Sequence, residues 1–516
     1  MIYSLDKSVT CPDNCRYRYR NLLIGQPNDF ERLRFRKKDD ISKSSLNAMN
    51  DLLRQLSDEI EDYSENVAGI KLVPQVDLEE IKSYLSQNYS FETPIDLMEL
   101  SADVSRVMRS WSLHAGHPNY FGLFVPGTKT ASVIADALVA LYNPQLGTWL
   151  HSPVSTEIER HTLKFLLKKF GYDPNSSWGN FTSGGTEANL SATLTALTDR
   201  FPEYCDGGVR ALKRRPLIYV SEEAHHSFIK IGQVTGLGHN AVRNVPSDEN
   251  FRLDISELKR MVESDIREGL EPFMVVGTAG TTSAGVIDPL IDIAKFCRER
   301  SFWFHCDAAW GGAAVMSPQL AGALKGIEQS DSITCDAHKW FSVSMSAGMF
   351  FCRHPQAVSK TFQANAAYMP ESQQGQVDSF KNTLQCSRRF IGLKLFMTLA
   401  ELGEKGYAAM IEKQAELGEF LRLELIEKGF EILNQTPLPV VCFTHQALIE
   451  TGLSTREVLS ELYSKREFWI SDTRLKNKIP ALRACISSFR TNKDAVRKLV
   501  RALQLIVSKK ASVSRI

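Results

Sequence analysis

The sequence predicts an α/β domain built on a largely parallel sheet, preceded by a helical segment and followed by a smaller α+β domain. Three observations predict it. From about Ser155, short apolar runs bounded by Gly, Pro or polar clusters alternate with helical stretches, the pattern of βα units. Several of these runs are followed at once by residues able to do chemistry, and open α/β sheets bind ligands beyond the carboxyl ends of their strands. After Arg388 a long amphipathic stretch reaches about Gly429 and gives way to two strand-like segments and a final helix, too little for a second parallel sheet.

The elements follow in order. Residues 1–75 are a polar extension whose only helical rhythm runs from Leu46 to Ile60. Residues 76–115 are a helical segment, with apolar periodicity over Leu78–Tyr84 and Pro94–Trp111. The large domain, 116–390, opens with a helix over Thr130–Tyr142 and carries strands at Leu217–Val220, Phe273–Val276, Trp303–Cys306, Ser332–Cys335 and Gly348–Phe351. The small domain, 391–516, holds strands at Leu438–Phe443 and Leu482–Ser488 and a helix at Asp494–Val507. No internal repeat or low-complexity linker interrupts the chain.

Composition narrows the function. In 516 residues, 61 Lys and Arg face 60 Asp and Glu, so no net field draws the chain to nucleic acid or an anionic membrane. The basic runs Arg32 to Lys38 and Lys213-Arg214-Arg215 are solvated faces. The start lacks a charged region followed by an apolar one, and no stretch approaches the apolar length of a membrane span, so a cytoplasmic protein is expected. The ten cysteines are scattered, several inside apolar runs (Cys306, Cys335, Cys352, Cys442), which suits reduced thiols. Cys11 and Cys15 form the one close pair and have no further ligands at metal spacing, so no metal is expected.

The chemistry lies at the strand ends. Asp331 to Trp340 supplies Lys339, and His305-Cys306-Asp307-Ala308-Ala309 supplies Asp307. An amine that forms a Schiff base with an aldehyde, plus an acid that keeps a pyridine nitrogen protonated, is the pairing pyridoxal 5'-phosphate requires. Singly, each has a plain structural explanation: an aspartate that turns a strand end, a lysine whose stem lies along the surface. A phosphate needs backbone N–H donors at a helix start, and Thr182-Ser183-Gly184-Gly185-Thr186 precedes an Ala- and Leu-rich helix, with Gly184, Gly185 and Thr186 as donors. His225 follows an apolar strand, where an imidazole could lie on the pyridine ring; a purely structural histidine is the alternative. Gly280 to Gly285 adds a hydroxyl-rich turn with Thr282 at the same edge.

Taken together, His225, Thr282, Asp307 and the Asp-Ala-His-Lys339 motif, in this order, resemble the group II pyridoxal-phosphate-dependent amino acid decarboxylases, a family that includes the glutamate, aromatic amino acid, cysteine sulfinate and diaminobutyrate enzymes. The similarity covers roughly residues 90 to 510 and takes in His117-Pro118-Asn119-Tyr120-Phe121, Ser152-Pro153 with Glu157 and Glu159, Arg388-Arg389-Phe390 and Leu482-Arg483. It implies an aspartate-aminotransferase-like (fold type I) architecture, a homodimer whose residues 76–115 help dimerisation, and a carboxy-lyase acting on an L-amino acid. Lys339 becomes the Schiff-base lysine, Asp307 the partner of the pyridine nitrogen and His225 the ring-stacking residue. Gly184, Gly185, Thr186, Ser332 and His338 would surround the phosphate, and Thr282 and Ala309 would line the ring. Arg483 matches an arginine near the substrate carboxylate, and His117 and Phe121 belong to a segment at the substrate entrance.

One departure bears on the product. Many relatives carry a tyrosine on a mobile loop before the double arginine, here near residues 369–383, and Pro370 to Thr383 contains none; Ser379 or Phe380 stands there instead. Tyr368 matches a separate anchoring tyrosine. Retention of amine release, with His225, a lysine or water protonating Cα, is the expectation. The alternative is oxidative deamination to an aldehyde, which in this family accompanies a phenylalanine at that position. An aminotransferase or carbon–sulfur lyase on the same fold, and a non-catalytic binding protein acting through residues 1–75, are further alternatives. Substrate choice stays open between aromatic or apolar side chains, suggested by Tyr120, Phe121, Leu123 and Phe124, and acidic ones, suggested by Gln385-Cys386-Ser387-Arg388.

Overall fold

The computed structural model describes residues 43–364, 373–446, 448, 454–476 and 478–513. Tyr368, Cys11, Cys15, the basic run at 32–38 and residues 369–372 of the expected loop therefore lie outside the described residues. The chain divides into two compact units, one through Asp62 and one from Tyr63 onward. The described residues of the first, 43–62, belong to the helix α1 (Lys43–Asn66).

In the second unit, helices start where the sequence supplies caps. Asp77 accepts from the N–H groups of Glu79 and Glu80 to open α2 (Leu78–Asn88), and Asp96 does the same for α3 (Leu97–Trp111). Next come α4 (Thr130–Tyr142), closed by Asn143 in the left-handed region, and α5 (Pro153–Lys169), with proline in its first turn. After β1 (Trp178–Thr182) the helix α6 (Gly185–Arg200) buries Ala188, Ala192 and Ala196 completely, which lets its axis approach the sheet closely.

Seven strands make the main sheet: β1, β2 (Pro216–Ser221), β3 (Val242–Val245), β4 (Glu271–Thr278), β5 (Trp303–Asp307), β6 (Ser332–Asp336) and β7 (Gly348–Cys352), in the order β1-β7-β6-β5-β4-β2-β3. Only β7 runs against its neighbours; β2, β3, β4, β5 and β6 pair in parallel. Both faces of β2, β4, β5 and β6 are covered, so these strands are buried along nearly their whole length without alternation. The expected strands are all present. β1 and β3 are additional: Trp-Gly-Asn-Phe-Thr and Val-Arg-Asn-Val are too short and polar to stand out by pattern.

A four-stranded antiparallel sheet forms the smaller domain, in the order β10-β11-β9-β8, from β8 (Phe430–Ile432), β9 (Val440–His445), β10 (Ser471–Leu475) and β11 (Ile479–Cys485). The long helix Gly392–Glu427 is kinked at Gly403, whose φ of 63° only glycine adopts without cost. Its first part packs on α4 and α5, and the helix also reaches the final helix Lys493–Val513 of the small domain. Among the described residues, no helix is long and apolar enough to cross a membrane.

Candidate active site

Because β1, β2, β4, β5 and β6 point the same way, their carboxyl ends share one edge, and each is followed by residues singled out above. After β1, Gly184 and Gly185 begin α6, whose first N–H groups have no acceptor within the helix. A Cβ on Gly185 would meet Asp336 Oδ2 at 2.8 Å and Ala309 Cβ at 3.4 Å, and one on Gly184 would meet His338 Cε1 at 3.5 Å. The glycines therefore keep a small cradle open, walled by Ala309, Asp336 and His338. Glu187, in the first turn, takes the N–H and hydroxyl of Ser183 and is itself held by Gln385.

Lys339 lies three residues beyond β6. Its Nζ is 2.9 Å from Asp336 Oδ2. Burial, the largest influence, pulls its pKa down, but the charge and hydrogen bond of Asp336, helped by Asp307, outweigh burial and raise it. Asp336 Oδ1 is buried with no hydrogen-bond partner among the described residues. His338 accepts from Ala347 N at Nδ1 (3.0 Å), so its proton is on Nε2, which faces Asp336 Oδ2 at 3.8 Å. Burial lowers the His338 pKa.

Asp307 ends β5, buried, with Oδ1 accepting from Ala309 N (3.1 Å) and Oδ2 from Asn189 Nδ2 (2.9 Å). Asn189 Oδ1 is in turn 3.0 Å from His305 Nε2, and His305 Nδ1 is 2.9 Å from Ser332 Oγ. His225 follows β2. Ser227 N donates to its Nδ1 (3.2 Å), leaving a proton on Nε2. Burial lowers the His225 pKa against the field of Asp307, with Lys339, His226 and Asp336 as the other charges it senses. Lys339, Asp307, Asp336 and His225 are thus electrostatic neighbours.

The donor set fits pyridoxal phosphate: an open helix start for an anion, a half-buried amine, a buried acid, and an imidazole in the field of both. Gly184, Gly185, Ala309 and His338 border one cradle, Lys339, Asp307 and His225 share one electrostatic neighbourhood, and Thr186 lies in the first turn of α6. Thr282 is exposed at the end of β4, in the turn at that same edge.

Four expectations are corrected. Ser332 does not reach the cradle: it begins β6, four residues and roughly 13 Å of strand before Asp336, and its hydroxyl is buried between Trp303 Nε1 (2.8 Å) and His305. His117 is pinned by backbone, with Nε2 at 3.2 Å from Ala68 O and Nδ1 accepting from Asn119 N. Phe121 is fully buried in the apolar core of the small domain, because its backbone pairs with Trp469 and Cys485. Ser379 and Phe380 are also buried, in a tight turn tied to Gly147 O by Phe380 N, with Arg388 on the Ser379 hydroxyl; neither projects as a loop tip.

Arg483 is buried with its Nε on the carbonyls of Thr282 and Ser283 and its Nη1 on those of Gly122 and the Ser471 hydroxyl. Its Nη2 has no partner among the described residues, and the guanidinium sits 4.8 Å over the Phe124 ring. Phe124 stacks on Trp310 at 4.3 Å, and Trp310 bonds Gly280 O. Sequence reasoning missed Asp336, Asn189 and His305 as site residues. His305 was findable, since it lies two residues before Asp307 and so on the same face of the strand; Asn189 lies one turn inside α6 from the cradle.

A family model described as the pyridoxal-dependent decarboxylase conserved domain matches residues 81–446. An aromatic-L-amino-acid decarboxylase of Bacillus atrophaeus is 27% identical over 475 residues, spanning 90% of this chain and 96% of that protein. An L-2,4-diaminobutyrate decarboxylase of Acinetobacter baumannii is 30% identical over 422 residues, spanning 75% and 80%. Among solved structures, mouse CSAD matches with a TM-score of 0.82 at 25% identity, over 89% of this chain and 98% of that one. Oryza sativa TDC with PLP and tryptamine matches in fold, with a TM-score of 0.83 at 22% identity over 92% and 99%. The architecture is therefore fold type I, and the chain belongs to the pyridoxal-dependent decarboxylase family, as a carboxy-lyase that uses pyridoxal phosphate to remove CO₂ from an L-amino acid.

Proposed function

We propose that Lys339 holds the cofactor aldehyde, Asp307 faces its pyridine nitrogen, His225 lies on its ring and the start of α6 takes its phosphate, and that the substrate is an L-amino acid with an aromatic or bulky apolar side chain, released as the amine. The observation that carries the assignment of roles is the convergence of Lys339, Asp307 and His225 within one electrostatic neighbourhood beside the glycine cradle. When bound, pyridoxal phosphate supplies the electron sink for the pair left at Cα by departing CO₂.

The chain's residues do the rest. Asp307, with both oxygens receiving N–H donors, is arranged as an acceptor and so favours a protonated nitrogen opposite it. His225, neutral and with its proton directed to Nε2, is the imidazole placed to return a proton to Cα, a role typically worth about 10²–10⁴ in rate. Arg483 holds the carbonyls of Gly122, Thr282 and Ser283, joining the entrance segment to the ring-lining turn, and keeps one N–H pair for a carboxylate.

Support for an apolar side chain comes from the Phe124–Trp310 stack and from Leu123, half exposed beside it. The glutamine that suggested an acidic substrate, Gln385, spends its amide on Glu187. An acidic side chain would then lose that amide as a partner, which raises the cost of burying it. The exposed apolar side chains Ile134, Leu141 and Tyr142 of α4 and Val154 of α5 support a homodimer, and the buried free thiols Cys297, Cys306, Cys335, Cys352, Cys442 and Cys485 suit the cytoplasm.

The test is kcat/KM for CO₂ and amine release from L-tryptophan, L-tyrosine, L-phenylalanine and L-leucine against L-glutamate, cysteine sulfinate and L-2,4-diaminobutyrate. The reading expects the first group to exceed the second at least tenfold, with amine equal to CO₂. Preference for the second group overturns the substrate class, and aldehyde with ammonia overturns the product.

A further inference from the structure

We propose that Trp303, Ser332, His305 and Asn189 form a hydrogen-bond chain of fixed direction aimed at Asp307, which makes His305 a positioning residue for the acid that meets the pyridine nitrogen. The proposal rests on the role given to Asp307 above.

The direction follows from which atoms are able to donate. The indole Nε1 of Trp303 is a donor only, so at 2.8 Å the Ser332 oxygen accepts from it. At the other end the Asp307 carboxylate only accepts, so Asn189 gives it Nδ2 and turns Oδ1 to His305 Nε2, with Thr334 Oγ1 farther off at 3.5 Å; the neutral ring then has its proton on Nε2 and accepts the Ser332 hydroxyl at Nδ1, 2.9 Å away. With that tautomer the ring donates to Asn189 Oδ1 at 3.0 Å. The amide Nδ2 donates to Asp307 Oδ2 at 2.9 Å and to Ser227 Oγ at 3.2 Å. All four links are buried, with Ser332 and His305 at 0% and Asn189 at 1% exposure, so water does not substitute for any of them.

Burial holds the His305 pKa down to about 4, so the ring is neutral through the physiological range and has a definite tautomer. The other titratable groups in the field of Asp307 are His225, Lys339, Cys306 and Cys335. Asn189 provides the side-chain donor to Asp307. An amide rotated by half a turn would set its oxygen against the carboxylate, and the His305 N–H is what prevents that rotation. Ser332, the residue expected at the phosphate, thus acts at the far end of the site by selecting the His305 tautomer.

The experiment uses the full chain and pyridoxal phosphate itself, with two readouts: the cofactor dissociation constant, and the pH at which the visible absorbance of the bound cofactor titrates. His305→Leu and Ser332→Ala are expected to weaken cofactor binding by about tenfold, the scale of loss when the hydrogen-bond partner behind a metal ligand is removed. They should also move the titration midpoint upward, because a pyridine nitrogen that has lost its proton withdraws less charge from the group held on Lys339. His305→Gln, which keeps an N–H for Asn189, should stay near wild type. In an Asn189→Leu background the His305 change should add nothing, the non-additivity of residues acting in series. Ser332→Ala removes one hydroxyl and carries the test if His305→Leu does not fold. Variants that melt lower but keep the wild-type dissociation constant and midpoint would reduce the chain to packing and overturn the proposal. Failure of the wild type to capture cofactor would instead overturn the reading of the site.

Discussion

Asp336 Oδ2 lies 2.9 Å from Lys339 Nζ and borders the space that a Cβ on Gly185 would take, while Oδ1 is buried without a partner among the described residues. One carboxylate therefore does two things: it holds the amine as an ammonium and places negative charge next to an anion cradle.

Both effects oppose cofactor capture, which needs a neutral amine and tolerates no anion nearby. Asp336→Asn should lower the raised Lys339 pKa, and each unit of lowering increases the neutral fraction about tenfold at fixed pH. Stopped-flow absorbance on the cofactor-free protein at neutral pH should show faster capture and a half-maximal pH shifted downward. Slower capture would mean that Asp336 serves as a needed partner of the bound cofactor.

His305 makes stability depend on acid. Folded, its pKa lies at about 4 against 6.5 when free, so the unfolded chain binds more protons between those values and stability falls as pH drops through that window. Asp288, raised by burial to about 6, works in the opposite sense over an overlapping range. The difference between wild type and His305→Gln isolates the histidine: relative to its value at pH 7, the variant should gain roughly 2 kcal/mol at about pH 5. Urea midpoints at the two pH values measure it, and a constant difference would show that the ring is not kept neutral.

Phe380 is 3% exposed and its turn is tied to Gly147. Introducing a phenol there buries a hydroxyl, so Phe380→Tyr should cost about 1–3 kcal/mol and leave the amine-to-aldehyde ratio unchanged. A ratio that rises with stability intact would mean that this turn opens during turnover.

Arg483→Lys keeps the charge but loses the fork that spans the carbonyls of Gly122, Thr282 and Ser283. Stability should drop by about 1–3 kcal/mol, with KM rising more than kcat falls. A fall in kcat alone would move Arg483 from holding the entrance to acting in the chemical step.

The main sheet was legible because strands covered on both faces are unbroken apolar runs, as in Phe273–Val276 and Trp303–Cys306. Asp307 stood out because it ends such a run, and His225 and Lys339 because each follows a strand within four residues. β1 and β3 were not, since Trp-Gly-Asn-Phe-Thr and Val-Arg-Asn-Val are short and carry polar residues within the strand. Phe121 and His117 were misplaced for a similar reason: an aromatic segment beside a site motif resembles a pocket wall, and only the pairing of its backbone with Trp469 and Cys485 turns it into the small domain's core. The Asn189–His305 link joins residues 116 positions apart, which no local pattern reveals.

Lys339 is the residue proposed to carry the cofactor during decarboxylation. Borohydride reduction of the cofactor-loaded protein, followed by peptide mapping, tests that role most directly. One stoichiometric pyridoxyl label is expected, on Lys339, with loss of both label and CO₂ release in Lys339→Ala. A label on another lysine, or CO₂ release that survives in Lys339→Ala, would contradict it.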